Sequence, residues 1–157
     1  MATIYEQTLN DIDGKQVALS TYKGKVLLFV NVASKCGYTP QYKDLEALWE
    51  KYQGKDFVLL GVPSNDFGAQ EPGTEAEIKE FCSLKYNVSF PMLSKLKVKG
   101  TEQHPLYAAL SEKAGEPKWN FHKYLVGKNG EVIGGYKSSV APLSTELTGN
   151  IDRALAQ

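Results

Sequence analysis

The stretch Asn31-Val32-Ala33-Ser34-Lys35-Cys36-Gly37-Tyr38-Thr39-Pro40 joins an apolar run to a helical pattern. The run, Val26 to Val32, is of strand length and almost continuously apolar, as expected of a central strand covered on both faces. Beyond Cys36, Thr39 is a plausible N-cap and Pro40 a plausible first helical residue. Cys36 is therefore expected in a strand-to-helix turn. Free N–H groups, the partial positive charge of a helix N-terminus and the neighbouring Lys35 all favour a thiolate over a thiol there. A cysteine can equally be a small buried hydrophobe, but a turn flanked by Gly and Lys makes burial less expected.

Downstream, Tyr42, Leu45, Leu48, Trp49 and Tyr52 recur at helical spacing, with Gly54 closing the helix. Phe57 to Val62 reads as a second buried strand ended by Pro63, which completes a strand–helix–strand unit. Ser64 to Gly73 is a loop. Thr74 and Glu77 form a capping box opening a second helix, with Ile78, Phe81 and Cys82 on one face. Lys95, Lys97 and Lys99 alternate with Leu96 and Val98, the pattern of an edge strand guarded by Lys. Pro105 opens a third helix with Leu106, Tyr107 and Leu110 inward and Gly115 beyond its end. Lys123 to Val126 and Glu131 to Tyr136 flank Lys128-Asn129-Gly130, a hairpin signal. Leu143, Leu147, Ile151 and Leu155 form the stripe of a C-terminal helix. Upstream, Tyr5 to Leu9 and Gln16 to Leu19 flank Asp13-Gly14, a first hairpin. The order predicts an α/β chain of thioredoxin-like type: a central mixed sheet flanked by helices, with an N-terminal β-hairpin. Residues 1–157 are expected to form a single domain.

Lys plus Arg and Asp plus Glu each number 18, so the chain carries no formal net charge and no sign of a nucleic-acid partner. Met1 to Leu9 is too polar for a signal peptide and no segment has the length of a membrane span or anchor, so a cytoplasmic location is expected. Two cysteines do not make a secreted disulfide scaffold, and two histidines without zinc-type spacing predict no metal site. No cofactor is expected.

Cys36 is followed by Gly37, Tyr38 and Thr39, so a Cys-x-x-Cys exchange mechanism is excluded at this turn. A lone thiolate can still attack the O–O bond of a peroxide, giving a sulfenic acid. That step needs hydrogen-bond donors for the developing charge and a proton for the leaving oxygen. Gln70, Trp119 and Asn120 offer amide and indole groups in loops. Read by spacing alone, Gln70 is as well a solvated amide, Trp119 a core residue and Asn120 a turn cap.

Asn31-Val32-Ala33-Ser34-Lys35-Cys36-Gly37 resembles the peroxidatic motif of the glutathione peroxidase family. Asn65-Asp66-Phe67-Gly68-Ala69-Gln70-Glu71-Pro72-Gly73 resembles its second motif, and Trp119-Asn120-Phe121 its third, in the family's order. The resemblance spans essentially the whole chain and points to the non-animal, two-cysteine, thioredoxin-dependent branch. It implies a thioredoxin-like fold and a tetrad of Cys36, Gln70, Trp119 and Asn120. Cys36 would be the peroxidatic nucleophile, reducing hydrogen peroxide and organic or lipid hydroperoxides. Cys82 resembles that branch's resolving cysteine, although its helical face also suits an inert buried thiol. The resolving role would require the helix from Thr74 to Leu84 to unwind locally, because a disulfide needs Cα atoms within about 7 Å. The reduced form should then hold the two sulfurs well apart.

The chain departs from the family pattern in four ways. Cys36 replaces selenocysteine, Ser64 stands where many non-animal members have cysteine, and Asp66 stands where glutamine is frequent. The short Lys113–Lys118 segment lacks the insertion tied to tetramers, which implies a monomer. No basic cluster marks a glutathione site, so thioredoxin is the expected reductant and glutathione the disfavoured one. The alternative is a peroxide sensor that passes its oxidation to a client protein. A peroxiredoxin of the Pro-x-x-x-Thr-x-x-Cys type is discounted, because Phe29 and Ala33 occupy the matching positions.

Overall fold

A computed structural model describes residues 4–157, so Met1, Ala2 and Thr3 of the polar N-terminal stretch lie outside it. A 3-10 turn at Ile4–Glu6 leads to β1 (Thr8–Asn10) and β2 (Gln16–Ala18), which pair antiparallel around the Asp13-Gly14 turn. A second 3-10 turn, Leu19–Tyr22, feeds β3 (Val26–Val32). α1 (Gln41–Tyr52), β4 (Phe57–Pro63), α2 (Glu75–Tyr86), α3 (Pro105–Ala114), β5 (Lys123–Val126), β6 (Val132–Tyr136) and α4 (Thr145–Leu155) follow.

The main sheet has the order β4-β3-β5-β6. β3 pairs parallel with β4 and antiparallel with β5, and β5 pairs antiparallel with β6. This is the mixed sheet of a thioredoxin-like fold. Every residue of β3 is buried, and its side chains alternate between two cores. Leu28 and Val30 face a core built with Tyr42, Leu45 and Leu48 of α1 and Leu147 and Ile151 of α4. Leu27 and Phe29 face a second core with Leu106, Tyr107 and Leu110 of α3 and Leu9 of the hairpin. A continuous apolar run is what two covered faces demand.

Four local expectations are corrected. Lys95 to Lys99 forms no strand: the Val98 N–H donates to the Asp66 carboxylate at 2.6 Å, and the Lys95 N–H to Glu75 at 3.1 Å. Between them the Leu96 N–H reaches the Pro63 carbonyl at the end of β4 at 2.9 Å, a single bond that does not grow into a ladder because side chains take the donors on either side. Thr39 does not cap α1, whose cap position is Pro40 without a side-chain bond. Its hydroxyl instead accepts the Cys36 N–H at 2.9 Å and donates to the Ala33 carbonyl at 2.8 Å. Leu143 lies ahead of α4 and is exposed, while Ala154 completes the buried stripe of that helix. Cys36 itself is buried, because the Thr39 hydroxyl folds the turn back over it. The α2 capping box forms as expected, with Thr74 and Glu77 each bonding the other's backbone N–H.

Candidate active site

The parallel pair β3–β4 sets the Cys36 turn and the loop after β4 at one edge of the sheet. The Lys35 N–H donates to the Gln70 carbonyl at 3.0 Å, which ties the two loops together next to the cysteine. The third segment arrives along β5. The Phe121 N–H donates to the Asn31 carbonyl at 2.6 Å, and the Asn31 amide donates to the Trp119 carbonyl at 3.0 Å. The Asn120 amide then reaches across to Gln70 Oε1 at 3.0 Å, with the Phe67 carbonyl 3.4 Å away. Gln70, Trp119 and Asn120, taken from distant parts of the sequence, thus meet beside the Cys36 turn. Asn120 is fully buried, whereas Gln70 and Trp119 are half-buried at the mouth.

Cys36 Sγ accepts a hydrogen bond from the Tyr38 N–H at 3.3 Å, within its own turn. The backbone around the site is strained at two non-glycine residues, Ala69 (φ 52°) and Phe121 (φ 64°), which adjoin Gln70 and Asn120. Gly68, at φ 65°, brings the chain under the indole: a Cβ there would lie 3.0 Å from Trp119 Cη2. Gly37, next to Cys36, has open space around it. The Trp119 ring packs on Phe67 with centroids 5.8 Å apart, and the Lys99 ammonium sits 4.6 Å from the Phe67 ring centre.

Glu71, whose role the sequence reading did not single out, is fully buried beside the Cys36 turn. Its Oε1 accepts the Ser34 N–H at 3.1 Å, and its own N–H donates to Asn65 at 2.8 Å. Burial pushes its carboxyl up, against the opposing pull of the Ser34 bonds and Lys95. The only sequence signal for it is its place in the Gln-Glu-Pro-Gly run. Asp66, a departure from the family pattern, anchors Val98 and lies 3.5 Å from the Lys97 ammonium. Ser64 is buried and its hydroxyl accepts the Asp66 N–H at 3.2 Å.

Cys36 and Cys82 are both free thiols. Cys82 lies on the inner face of α2, with Tyr42 and Cys36 among the residues of the same core. Burial pushes its thiol up to about 11; the Tyr42 hydroxyl pulls the other way and Glu71 adds to the rise. A thiol with that pKa is ionised in only about one molecule in ten thousand at pH 7. The flanks of α2 are undercut. A groove of about 360 Å³ beside the Cys36 turn is lined by Ser34, Lys35, Glu71, Gly73, Ile78 and Phe81. A cavity of about 330 Å³ along the other flank includes Cys82, Leu60, Phe90 and Met92. Among the described residues no group of three or more His, Cys, Asp or Glu side chains could hold a metal ion, and no helix is long and apolar enough to cross a membrane.

The glutathione peroxidase family model matches residues 4–111. Glutathione peroxidase-like peroxiredoxin 2 of Saccharomyces cerevisiae is 47% identical over 150 residues, covering 92% of this chain and 93% of the relative. The crystal structure of Trgpx in apo form is 37% identical, with a TM-score of 0.81 over 99% of this chain and 97% of that one. A thioredoxin-family thiol:disulfide interchange protein from Chlorobium tepidum, 16% identical with a TM-score of 0.70 over 95% of this chain and 92% of its own, shares the fold alone.

Proposed function

Because this chain belongs to the glutathione peroxidase family, we propose that Cys36 is the peroxidatic nucleophile of a two-cysteine thiol peroxidase. The observation that carries the reading is the Asn120–Gln70 bond beside a turn whose backbone is tied to Gln70. Three loop segments with no local reason to meet converge on one cysteine.

In the first step the Cys36 thiolate attacks a peroxide oxygen. An S–O bond forms, the O–O bond breaks, and the leaving oxygen takes a proton as water or alcohol. Gln70, Trp119 and Asn120 donate hydrogen bonds to the charge that develops. In the second step Cys82 attacks the sulfur of the sulfenic acid: an S–S bond forms, the S–O bond breaks, and water leaves. Thioredoxin then reduces the disulfide by thiol exchange. While packed, Cys82 is protonated and a poor nucleophile, which supports local unwinding of α2 as the gate to resolution. Ile78 and Cys82 are the buried residues of that helix, and opening it also releases the half-buried Phe81 and Tyr86 from their packing on Tyr42.

The Gln70–Trp119 mouth supports access for hydrogen peroxide and for bulkier organic and lipid hydroperoxides. We place the protein in the cytoplasm, as a monomer whose residues 1–157 act as one domain. NADPH consumption coupled to thioredoxin and its reductase tests the reading. Cys36→Ser and Cys82→Ser should both lose turnover, with Cys82→Ser retaining one stoichiometric oxidation. Full turnover in Cys82→Ser removes the resolving role, and peroxide consumption by Cys36→Ser removes the peroxidatic one.

A further inference from the structure

We infer that Lys123 is a positioning residue for the peroxidatic site, its ammonium fixing Asn120 through Ser138 and the Cys36 turn through Gln41. Lys123 is fully buried on β5. Its three donors meet three acceptors: Gln41 Oε1 at 2.7 Å, the Val140 carbonyl at 2.7 Å and the Ser138 carbonyl at 3.2 Å. An ammonium has three N–H groups and no acceptor, so the site matches its protonated form. None of the partners is an acid. The ion pairs among the described residues are Lys79–Asp13 and Lys97–Asp66, both elsewhere.

Two chains of hydrogen bonds leave this ammonium, and both end at the tetrad. On one side Ser138, whose carbonyl it holds, donates its hydroxyl to the Asn120 carbonyl at 2.5 Å, and the Asn120 amide donates to Gln70. On the other side Gln41 is the first residue of α1. Its N–H donates to the Tyr38 carbonyl at 2.8 Å, and the Tyr38 N–H donates to Cys36 Sγ. The Gln41 side chain closes a ring by donating to the Ser138 carbonyl at 2.7 Å. One ammonium therefore joins the start of α1, the turn after β6 and β5, next to the turn that holds Cys36 and the loop that holds Asn120.

Packing alone does not call for a charge here. A methionine has similar length and would avoid the desolvation of an ammonium without a counter-ion. Burial pulls the lysine from 10.5 down to about 7, but the three oxygen acceptors around Nζ can all be satisfied only by the ammonium, so the geometry favours the charged form. What methionine lacks is the ability to hold three carbonyl oxygens in a fixed arrangement. Small displacements of a reacting group slow chemistry steeply, so that arrangement is where the charge contributes.

The inference rests on Cys36 being the peroxidatic thiol, and it is tested by timing the two half-reactions separately. Reduced enzyme is mixed with hydrogen peroxide while tryptophan emission and residual peroxide are followed; disulfide-form enzyme is mixed with reduced thioredoxin. Lys123→Met should slow oxidation by about 10-fold to 100-fold, the effect of a displaced catalytic group, and leave the thioredoxin half-reaction at its wild-type rate. Ser138→Ala keeps Lys123 and removes only the hydroxyl bond to Asn120; it should slow the same half-reaction by about 10-fold. If Lys123→Met does not fold, Ser138→Ala decides alone. Oxidation at the wild-type rate in the folded variants, or equal slowing of both half-reactions, overturns the inference. Cys36→Ser is run alongside: peroxide consumption by that variant defeats the underlying reading, whereas an inert Cys36→Ser beside unimpaired Lys123→Met and Ser138→Ala defeats this inference alone.

Discussion

The Asn120 amide donates to Gln70 at 3.0 Å, a side-chain to side-chain hydrogen bond between the second and third loop segments. Asn120→Ala removes a preorganised donor from the site, and oxidation by hydrogen peroxide should fall by about 10²-fold. Stopped-flow oxidation of the reduced protein measures it, with circular dichroism confirming the fold. The next residue but one makes a prediction about stability instead. His122 is buried with both ring nitrogens unpartnered, and burial, helped by Lys123 and Lys118, pulls it from 6.5 to about 4. Between those values the unfolded chain binds a proton that the folded chain refuses. Its contribution is intact above pH 6.5 and is lost as pH falls toward 4. His122→Phe should therefore gain on the wild type by up to about 3 kcal/mol between pH 7.5 and pH 4.5, as measured by urea unfolding. A constant difference across that range would contradict the assignment.

α2 shows how an element can be well started and weakly held. Its N-terminus carries the reciprocal Thr74–Glu77 cap, and its C-terminus ends on Asn87 in the left-handed conformation. Thr74→Ala should cost about 1 kcal/mol of helix stability. Amide exchange over 75–86 should then accelerate relative to 41–52, and disulfide formation after peroxide treatment should quicken. Slower disulfide formation would argue against unwinding as the gate. The elements most legible in the sequence were those with burial on a regular period: β3, β4, α1 and the Pro105 helix start. Lys95 to Lys99 is no strand because two of its backbone N–H groups go to the side chains of Asp66 and Glu75, distant residues that no local pattern announces. The His104 ring, which accepts the Leu106 N–H at 3.0 Å at the start of α3, likewise escapes a reading that looks for Ser, Thr, Asp or Asn at caps.

For the molecule as a whole, β3 carries both cores, so damage there should be felt everywhere. Leu28→Ala, at a position with no exposed surface, should cost about 2 to 5 kcal/mol, seen as a lower urea midpoint at unchanged slope. Sedimentation at micromolar concentration tests the proposed monomer and should give the mass of one chain, 17.3 kDa. The three loop motifs were readable as motifs, yet their joint geometry was not. It depends on main-chain bonds such as Lys35 to Gln70 and on side chains such as Ser138 and Lys123 that carry no signature of their own. The two glycines bordering the site show how unevenly such geometry constrains a library of random variants. At position 68 a methyl group would press on the indole while the backbone stays left-handed, so survivors of selection for peroxide resistance should return glycine there almost without exception. At position 37, one step from the reactive sulfur, the conformation is ordinary and the space empty, and the same selection should recover many residue types.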